Sequence, residues 1–198
     1  MQNALLDTLK NTFGYTRFRE KQVDIIDELL NGKHVLAIMP TGSGKSILYQ
    51  LPALLFDGLT VVISPLIALM KDQVDALQRK NIAAAYINST LTRKERESRY
   101  KQVADGAFKL IYVAPERFRK PEFIQALAKQ QISLLAVDEA HCISEWGHDF
   151  RPDYTRIKDF RKQMGHPVTI ALTATATPHV QKDIIKNLGL ESANVATF

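Results

Sequence analysis

Met39-Pro40-Thr41-Gly42-Ser43-Gly44-Lys45-Ser46 stands between an apolar run, Val35-Leu36-Ala37-Ile38, and a helix-compatible run, Ile47-Leu48-Tyr49-Gln50-Leu51. Strand, glycine loop, Lys-Ser and helix in this order are the parts of a phosphate cradle. The glycines let the backbone curl so that successive N–H groups point inward at phosphate oxygens. The positive end of the following helix adds to that field. Lys45 would reach the β- and γ-phosphates, and Ser46 would offer its hydroxyl to Mg²⁺. The strict pattern has glycine where Met39 stands, so the loop is a variant. The competing reading is a glycine-rich turn with an ordinary surface lysine; the strand before it and the helix after it weigh against that. Alone, the loop implies a nucleoside triphosphate and leaves kinase, GTPase, transporter and motor open.

The 198 residues suffice for one domain with its own core. Lysine and arginine number 26 against 21 acids, a net charge of +5 that fits a polyanionic partner without requiring one. Cys142 is the single cysteine, which excludes an internal disulfide and a multi-cysteine zinc site. No apolar stretch is long enough to span a bilayer, and the first residues lack the layout of a signal peptide. A reducing, intracellular setting is the expectation.

Short apolar runs alternate with helical patterns along the chain. Strands are expected at Val35–Met39, Thr60–Ser64, Ala85–Asn88, Leu110–Val113, Leu134–Val137 and Thr169–Thr173. Helices are expected around Ser46–Phe56, Ile67–Lys80, Thr92–Asp105, Pro121–Gln130, Tyr154–Met164 and Pro178–Leu188. Thr92 with Glu95 is a candidate capping box, and Gly58, Gly106 and Gly189 stand where helices should stop. This alternation implies an α/β domain with a mostly parallel sheet flanked by helices. An N-terminal helical segment, residues 1–32, precedes it. The end, Asn194–Phe198, reads as a strand or linker.

Ligands of such sheets gather at the carboxyl ends of the strands. Leu134-Leu135-Ala136-Val137 ends in Asp138-Glu139-Ala140-His141. Asp138 would hold Mg²⁺ opposite Ser46, and Glu139 would orient and deprotonate an attacking water. His141 has two readings, a hydrogen-bonding link to other strand ends or a plainly packed histidine. Thr173 and Thr175, after Val168–Leu172, could sense the nucleotide through the Asp138–His141 stretch.

These pieces, in this order, resemble the first motor domain of superfamily 2 helicases. Three further stretches resemble the RecQ family of DNA helicases: Phe13–Gln22, Ser64–Gln73 and His141–Pro152. The resemblance covers nearly the whole chain. It implies a three-layer RecA-like P-loop domain over residues 33–198, with ATP and Mg²⁺ as ligands. It also implies that Tyr15 stacks on adenine while Arg19 and Gln22 recognise it; a glutamine amide can both donate to and accept from a base edge. The bland alternative makes Phe13, Tyr15 and Phe18 core residues. Ser64, Pro65 and Lys71 would lie on the face that meets single-stranded DNA. Arg117 would touch DNA or form an internal salt bridge.

The third stretch resembles the aromatic-rich loop that couples DNA binding to ATP hydrolysis, with Trp146, His148, Phe150 and Arg151 in place to stack on bases and add charge. The alternative has Trp146 and Phe150 plugging the core beneath a loop. Ser43 and Glu145 depart from the common wording, where glycine and glutamine are frequent. The resemblance further implies 3′→5′ unwinding of junction DNA in repair and recombination. The protein would be monomeric, in the nucleoid of a bacterium or the nucleus of a eukaryote. It also implies a second RecA-like domain carrying an arginine finger. Nothing after Thr177 supplies one, so the expectation is an N-terminal fragment that alone hydrolyses ATP very slowly. The rival classes are a P-loop phosphotransferase, for which no acceptor pocket or lid is evident, and a non-catalytic nucleic-acid-binding module, against which Lys45, Ser46, Asp138 and Glu139 argue.

Overall fold

The computed structural model describes residues 2–198. Seven strands form one sheet in the order β3-β4-β2-β5-β6-β1-β7, every neighbouring pair parallel. They are β1 (His34–Ile38), β2 (Leu59–Ile63), β3 (Ala84–Ile87), β4 (Leu110–Val113), β5 (Ile132–Val137), β6 (Val168–Thr173) and β7 (Val195–Thr197). The helices are α1 (Gln2–Thr8), α2 (Gln22–Leu30), α3 (Ile47–Leu55), α4 (Ile67–Gln78), α5 (Arg93–Ala104), α6 (Pro121–Leu127), α7 (Ile157–Gln163) and α8 (Pro178–Asn187).

Both faces of the sheet are covered, because alternate residues of one strand enter different cores. Val35, Ala37, Leu134 and Ala136 pack with α1–α4; Leu36, Leu135 and Val137 pack with α6, α7 and α8. The result is the expected three-layer α/β arrangement. The last residues add β7 beside β1. The N-terminal segment contributes Leu5, Leu9, Phe13, Ile25, Ile26 and Leu29 to the first of the two cores. Among the described residues, no helix is long and apolar enough to cross a membrane.

The expected strands and helices are present, with shifts of a few residues at their ends. Thr92 and Glu95 make the capping box that opens α5. Gly106 and Gly189 follow α5 and α8 with φ of 75° and 65°, conformations that favour glycine. Gly58 has a different reason: it is not left-handed, and a Cβ there would collide with the Gln131 carbonyl and the Ser133 hydroxyl at the start of β5. The helix expected from Tyr154 begins only at Ile157. Pro152–Arg156 is a 3₁₀ turn instead, and the Tyr154 hydroxyl within it donates to the Asp138 carbonyl at 2.8 Å.

Candidate functional site

Residues 39–46 leave the end of β1 and turn into α3. Gly42 and Gly44 take φ of 80° and 85°, which a side chain would strain. Met39 and Ser43 do not have positive φ, so the backbone requires neither the strict pattern's glycine at 39 nor the glycine frequent in the resembled family at 43. Met39 is buried; its N–H donates to the Thr173 carbonyl at 3.0 Å and its carbonyl accepts from Lys45 Nζ at 3.0 Å. Among the described residues the N–H groups of Gly44, Lys45 and Ser46 donate to no protein acceptor, and the buried Ser43 hydroxyl has no partner. Free donors curled at a helix start suit a polyanion.

Lys45, Ser46, Ser64, Asp138 and Glu139 line one cleft of about 350 Å³. The parallel register explains the meeting, since β1, β2 and β5 all end on the same side of the sheet. Asp138 accepts from the Glu139 N–H at 3.0 Å and from the Ser64 hydroxyl at 3.4 Å. Burial, and then the negative charge of Glu139, push the Asp138 carboxyl above its ordinary range. A cation beside it would relieve both effects, and Ser46 faces the same cleft, so the residues present fit Mg²⁺. Ser64, read as a DNA contact, is itself buried and its hydroxyl serves Asp138.

Glu139 is left-handed, with φ 49° and ψ 45°, a conformation uncommon outside glycine. The turn sends its carboxylate back toward His141, whose Nδ1 lies 3.4 Å from Oε2. His141 is buried, with Nδ1 also 2.9 Å from the Thr173 hydroxyl, which in turn donates to the Thr175 carbonyl at 3.0 Å. Because that hydroxyl spends its hydrogen on Thr175, it accepts from His141, so Nδ1 carries the proton. Burial and then His148 keep the His141 pKa below the ordinary value.

A second cavity of about 290 Å³ lies beyond the phosphate loop, walled by Phe13, Tyr15, Arg19, Gln22 and the flank of α4. Tyr15 is 57% exposed while Phe13 is buried. Gln22 accepts from the Arg19 N–H at 2.8 Å and donates to the Gly44 carbonyl at 3.2 Å; Arg19 Nη1 donates to the Gly42 carbonyl at 2.6 Å. The two side chains expected to read a base are therefore clasped to the phosphate loop.

The segment after His141 folds back on the 3₁₀ turn Ala140–Ile143. Gly147 packs so close to the His141 carbonyl that no Cβ would fit, and the Arg151 N–H donates to the Cys142 carbonyl at 2.8 Å. Arg151 pairs with Asp149 at 2.9 Å, and Asp149 lies 3.8 Å from the Cys142 sulfur. Burial pushes that thiol to about 12, so it is an uncharged contact within a latch. His148 stacks on His141 with centroids 4.1 Å apart. Trp146 is 74% exposed, edge-on to His179, and Phe150 is also exposed. The core-plug alternative for these two aromatics is thus excluded. Lys71 is exposed and paired with Asp75 at 2.5 Å. Arg117 forms no salt bridge among the described residues, and its buried Nε lacks a partner.

Sequence reasoning passed over Tyr49, Tyr112 and Tyr154, which sit at or beneath this cleft. Buried tyrosines in apolar runs give no signal of their own, because their packing role accounts for them equally well.

The DEAD/DEAH box helicase family profile matches residues 19–184, and the chain belongs to that family. Within it the chain is of the RecQ type. It is 53% identical to the ATP-dependent DNA helicase RecQ of Bacillus subtilis over 188 residues, covering 94% of this chain and 32% of that protein. It is 47% identical to the protein of the same name from Pasteurella multocida over 195 residues, covering 98% of this chain and 31% of that one. It thus spans about a third of the length of these curated relatives. A hypothetical ATP-dependent RNA helicase of Sulfolobus tokodaii, at 21% identity, superposes with a TM-score of 0.74 over 100% of this chain and 56% of its own, which shows a shared fold.

Proposed function

We propose that this chain is the first motor lobe of a RecQ-type, ATP-dependent 3′→5′ DNA helicase acting in repair and recombination. The observation that carries the reading is the convergence of Lys45, Ser46, Asp138 and Glu139 on one cleft beside unpartnered loop N–H groups. Lys45 exchanges the Met39 carbonyl for the β- and γ-phosphates. Bound between Ser46 and Asp138, Mg²⁺ would supply positive charge to the phosphate oxygens. Glu139 takes the proton of the attacking water. Arg19 and Gln22 release the loop carbonyls and turn to adenine, with Tyr15 over the base.

Single-stranded DNA crosses the face formed by the start of α4 and the exposed Trp146–Arg151 segment. His141 joins that segment to Glu139 on one side and to Thr173 on the other, so a shift of the loop is felt at the catalytic acid. An arginine from a second RecA-like lobe completes charge stabilisation on the transferred phosphoryl, and this lobe alone turns over ATP very slowly.

The test is Glu139→Gln in a protein carrying both lobes. ATP binding stays intact while DNA-stimulated hydrolysis falls about 10²–10⁴-fold, the range of a lost general base. Lost binding would assign Glu139 a structural role. Rapid, DNA-stimulated turnover by the isolated 198-residue chain would refute the need for a second lobe.

A further inference from the structure

Three side chains converge where the exposed segment folds back on the 3₁₀ turn Ala140–Ile143. Cys142 Sγ lies 3.7 Å from His141 Nε2 and 3.8 Å from Asp149 Oδ2. One donor atom from each of the three falls within 4.8 Å of the others, and among the described residues this is the only such group of His, Cys, Asp or Glu. The thiol has a single hydrogen, so it serves the imidazole or the carboxylate and turns a sulfur lone pair to the other. Burial keeps that hydrogen on sulfur. Two acceptors competing for one proton are both satisfied by a cation in its place.

The imidazole is already set as a ligand. His141 is buried, and its Nδ1 proton is directed to the Thr173 hydroxyl at 2.9 Å, with the Glu139 carboxylate 3.4 Å away. The Nε2 lone pair is therefore the one turned to the sulfur. An outer oxygen that fixes the tautomer in this way is the usual companion of a metal-bound histidine. The spacings fit a particular ion. Tetrahedral Zn²⁺, bonded at about 2.0 Å to nitrogen or oxygen and about 2.3 Å to sulfur, holds its sulfur about 3.5 Å from the other ligands. A thiolate in the set favours Zn²⁺ over Mg²⁺, which takes oxygen ligands. The Asp149 carboxylate has lone pairs enough to hold Arg151 and a metal together, and it is exposed, which opens the cluster to solvent.

We propose that His141, Cys142 and Asp149 form a three-ligand Zn²⁺ site, distinct from the Mg²⁺ cleft, that clamps the exposed Trp146–Arg151 segment to the 3₁₀ turn. Zn²⁺ bonds to Nε2, Sγ and a carboxylate oxygen, and water fills the fourth position. The thiol proton leaves to solvent, one for each ion bound.

The experiment titrates Co²⁺, a visible stand-in for Zn²⁺, into the 198-residue chain without a histidine tag. One Co²⁺ binds per chain, with a thiolate-to-cobalt absorption band and release of one proton, and Zn²⁺ abolishes the band. Zn²⁺ also raises the fluorescence anisotropy of Trp146, the only tryptophan, because the ion ties together residues on either side of it. Cys142→Ser removes the band. Asp149→Ala, an exposed change that leaves the fold intact, weakens Co²⁺ binding about tenfold or more, since a lost ligand costs at least as much as a lost outer partner. No thiolate band in a wild-type chain that melts cooperatively overturns the inference. So does a midpoint that Asp149→Ala leaves unchanged, or a bound ion that leaves Trp146 anisotropy at its metal-free value. None of these readouts needs a nucleotide, so they stand or fall apart from the ATP reading.

Discussion

The two ends of the central sheet treat their polar groups in opposite ways. At the carboxyl end, the N–H groups of Gly44, Lys45 and Ser46 have no partner among the described residues, Lys45 is held by the Met39 carbonyl, Glu139 is left-handed and Trp146 is exposed. At the amino end of β1 and β6, Arg161 is buried yet fully engaged. Its Nε donates to the Thr169 hydroxyl at 3.0 Å and Nη1 to the Gly189 carbonyl at 2.9 Å, while Nη2 lies 2.9 Å from His34 Nε2. The His34 Nδ1 accepts from the Thr169 N–H at 3.1 Å. One end keeps hydrogen-bonding capacity for something to arrive; the other has spent it on joining α7, β1, β6 and the turn after α8. Stability and chemistry are thereby separated along the strands.

That contrast breaks if mutations at either end have mixed effects. The largest effect belongs to Lys45→Ala, which lowers nucleotide-dependent turnover of the two-lobed enzyme by about 10²–10³-fold. Its melting temperature stays near that of the parent, because among the described residues the side chain bonds only to the Met39 carbonyl. A collapse in stability would show that the loop end also carries the fold.

Acid tests the other end. Burial, and then the charge of Arg161, lower the His34 pKa to about 4 from 6.5, with His166 adding to the effect. Between those pH values the unfolded chain holds a proton that the folded chain refuses, so stability falls as the pH drops through the window. The loss reaches about 2–3 kcal/mol by pH 4. Urea titrations of the parent and His34→Gln should show the variant losing much of that dependence. Identical slopes would remove His34 from the account.

Arg161→Leu leaves the Gly189 carbonyl and its neighbours short of a donor and costs about 1–3 kcal/mol by denaturant titration, with nucleotide affinity unchanged. Trp146→Ala has the smallest thermodynamic effect, within about 0.5 kcal/mol, as expected of an exposed side chain. DNA stimulation of ATP turnover is nonetheless lost in the two-lobed enzyme. Preserved stimulation would take Trp146 out of the coupling path.

The difference between the ends also explains what could be read from sequence. The phosphate loop, the acids after β5 and the alternation of elements were legible because each has a local signature: glycines at turns, carboxylates at a strand end, apolar runs. The Asp138 contact of Ser64 was not legible, because nothing in Ser64-Pro65-Leu66 says that its hydroxyl faces a residue 74 positions away. The Arg161 pin and the Tyr49–Tyr112 pair went unseen for the same reason. Their partners are brought together only by the sheet, and an arginine in α7 reads as a solvated charge until His34 and Thr169 are found around it. Gly58 shows the limit from the other side: a glycine after a helix suggests a stop, while its close neighbours come from β5.

The backbone of Glu139 carries a last consequence. A left-handed, non-glycine residue costs on the order of 1–2 kcal/mol, and this one is the carboxylate proposed as the general base. Two searches through the same library of substitutions at position 139 would then disagree. One that rewards resistance to heat would enrich glycine, which adopts this conformation freely. One that rewards turnover would return glutamate every time. The gap between the two winners would put a number on what this fold concedes in durability so that its acid can face the cleft.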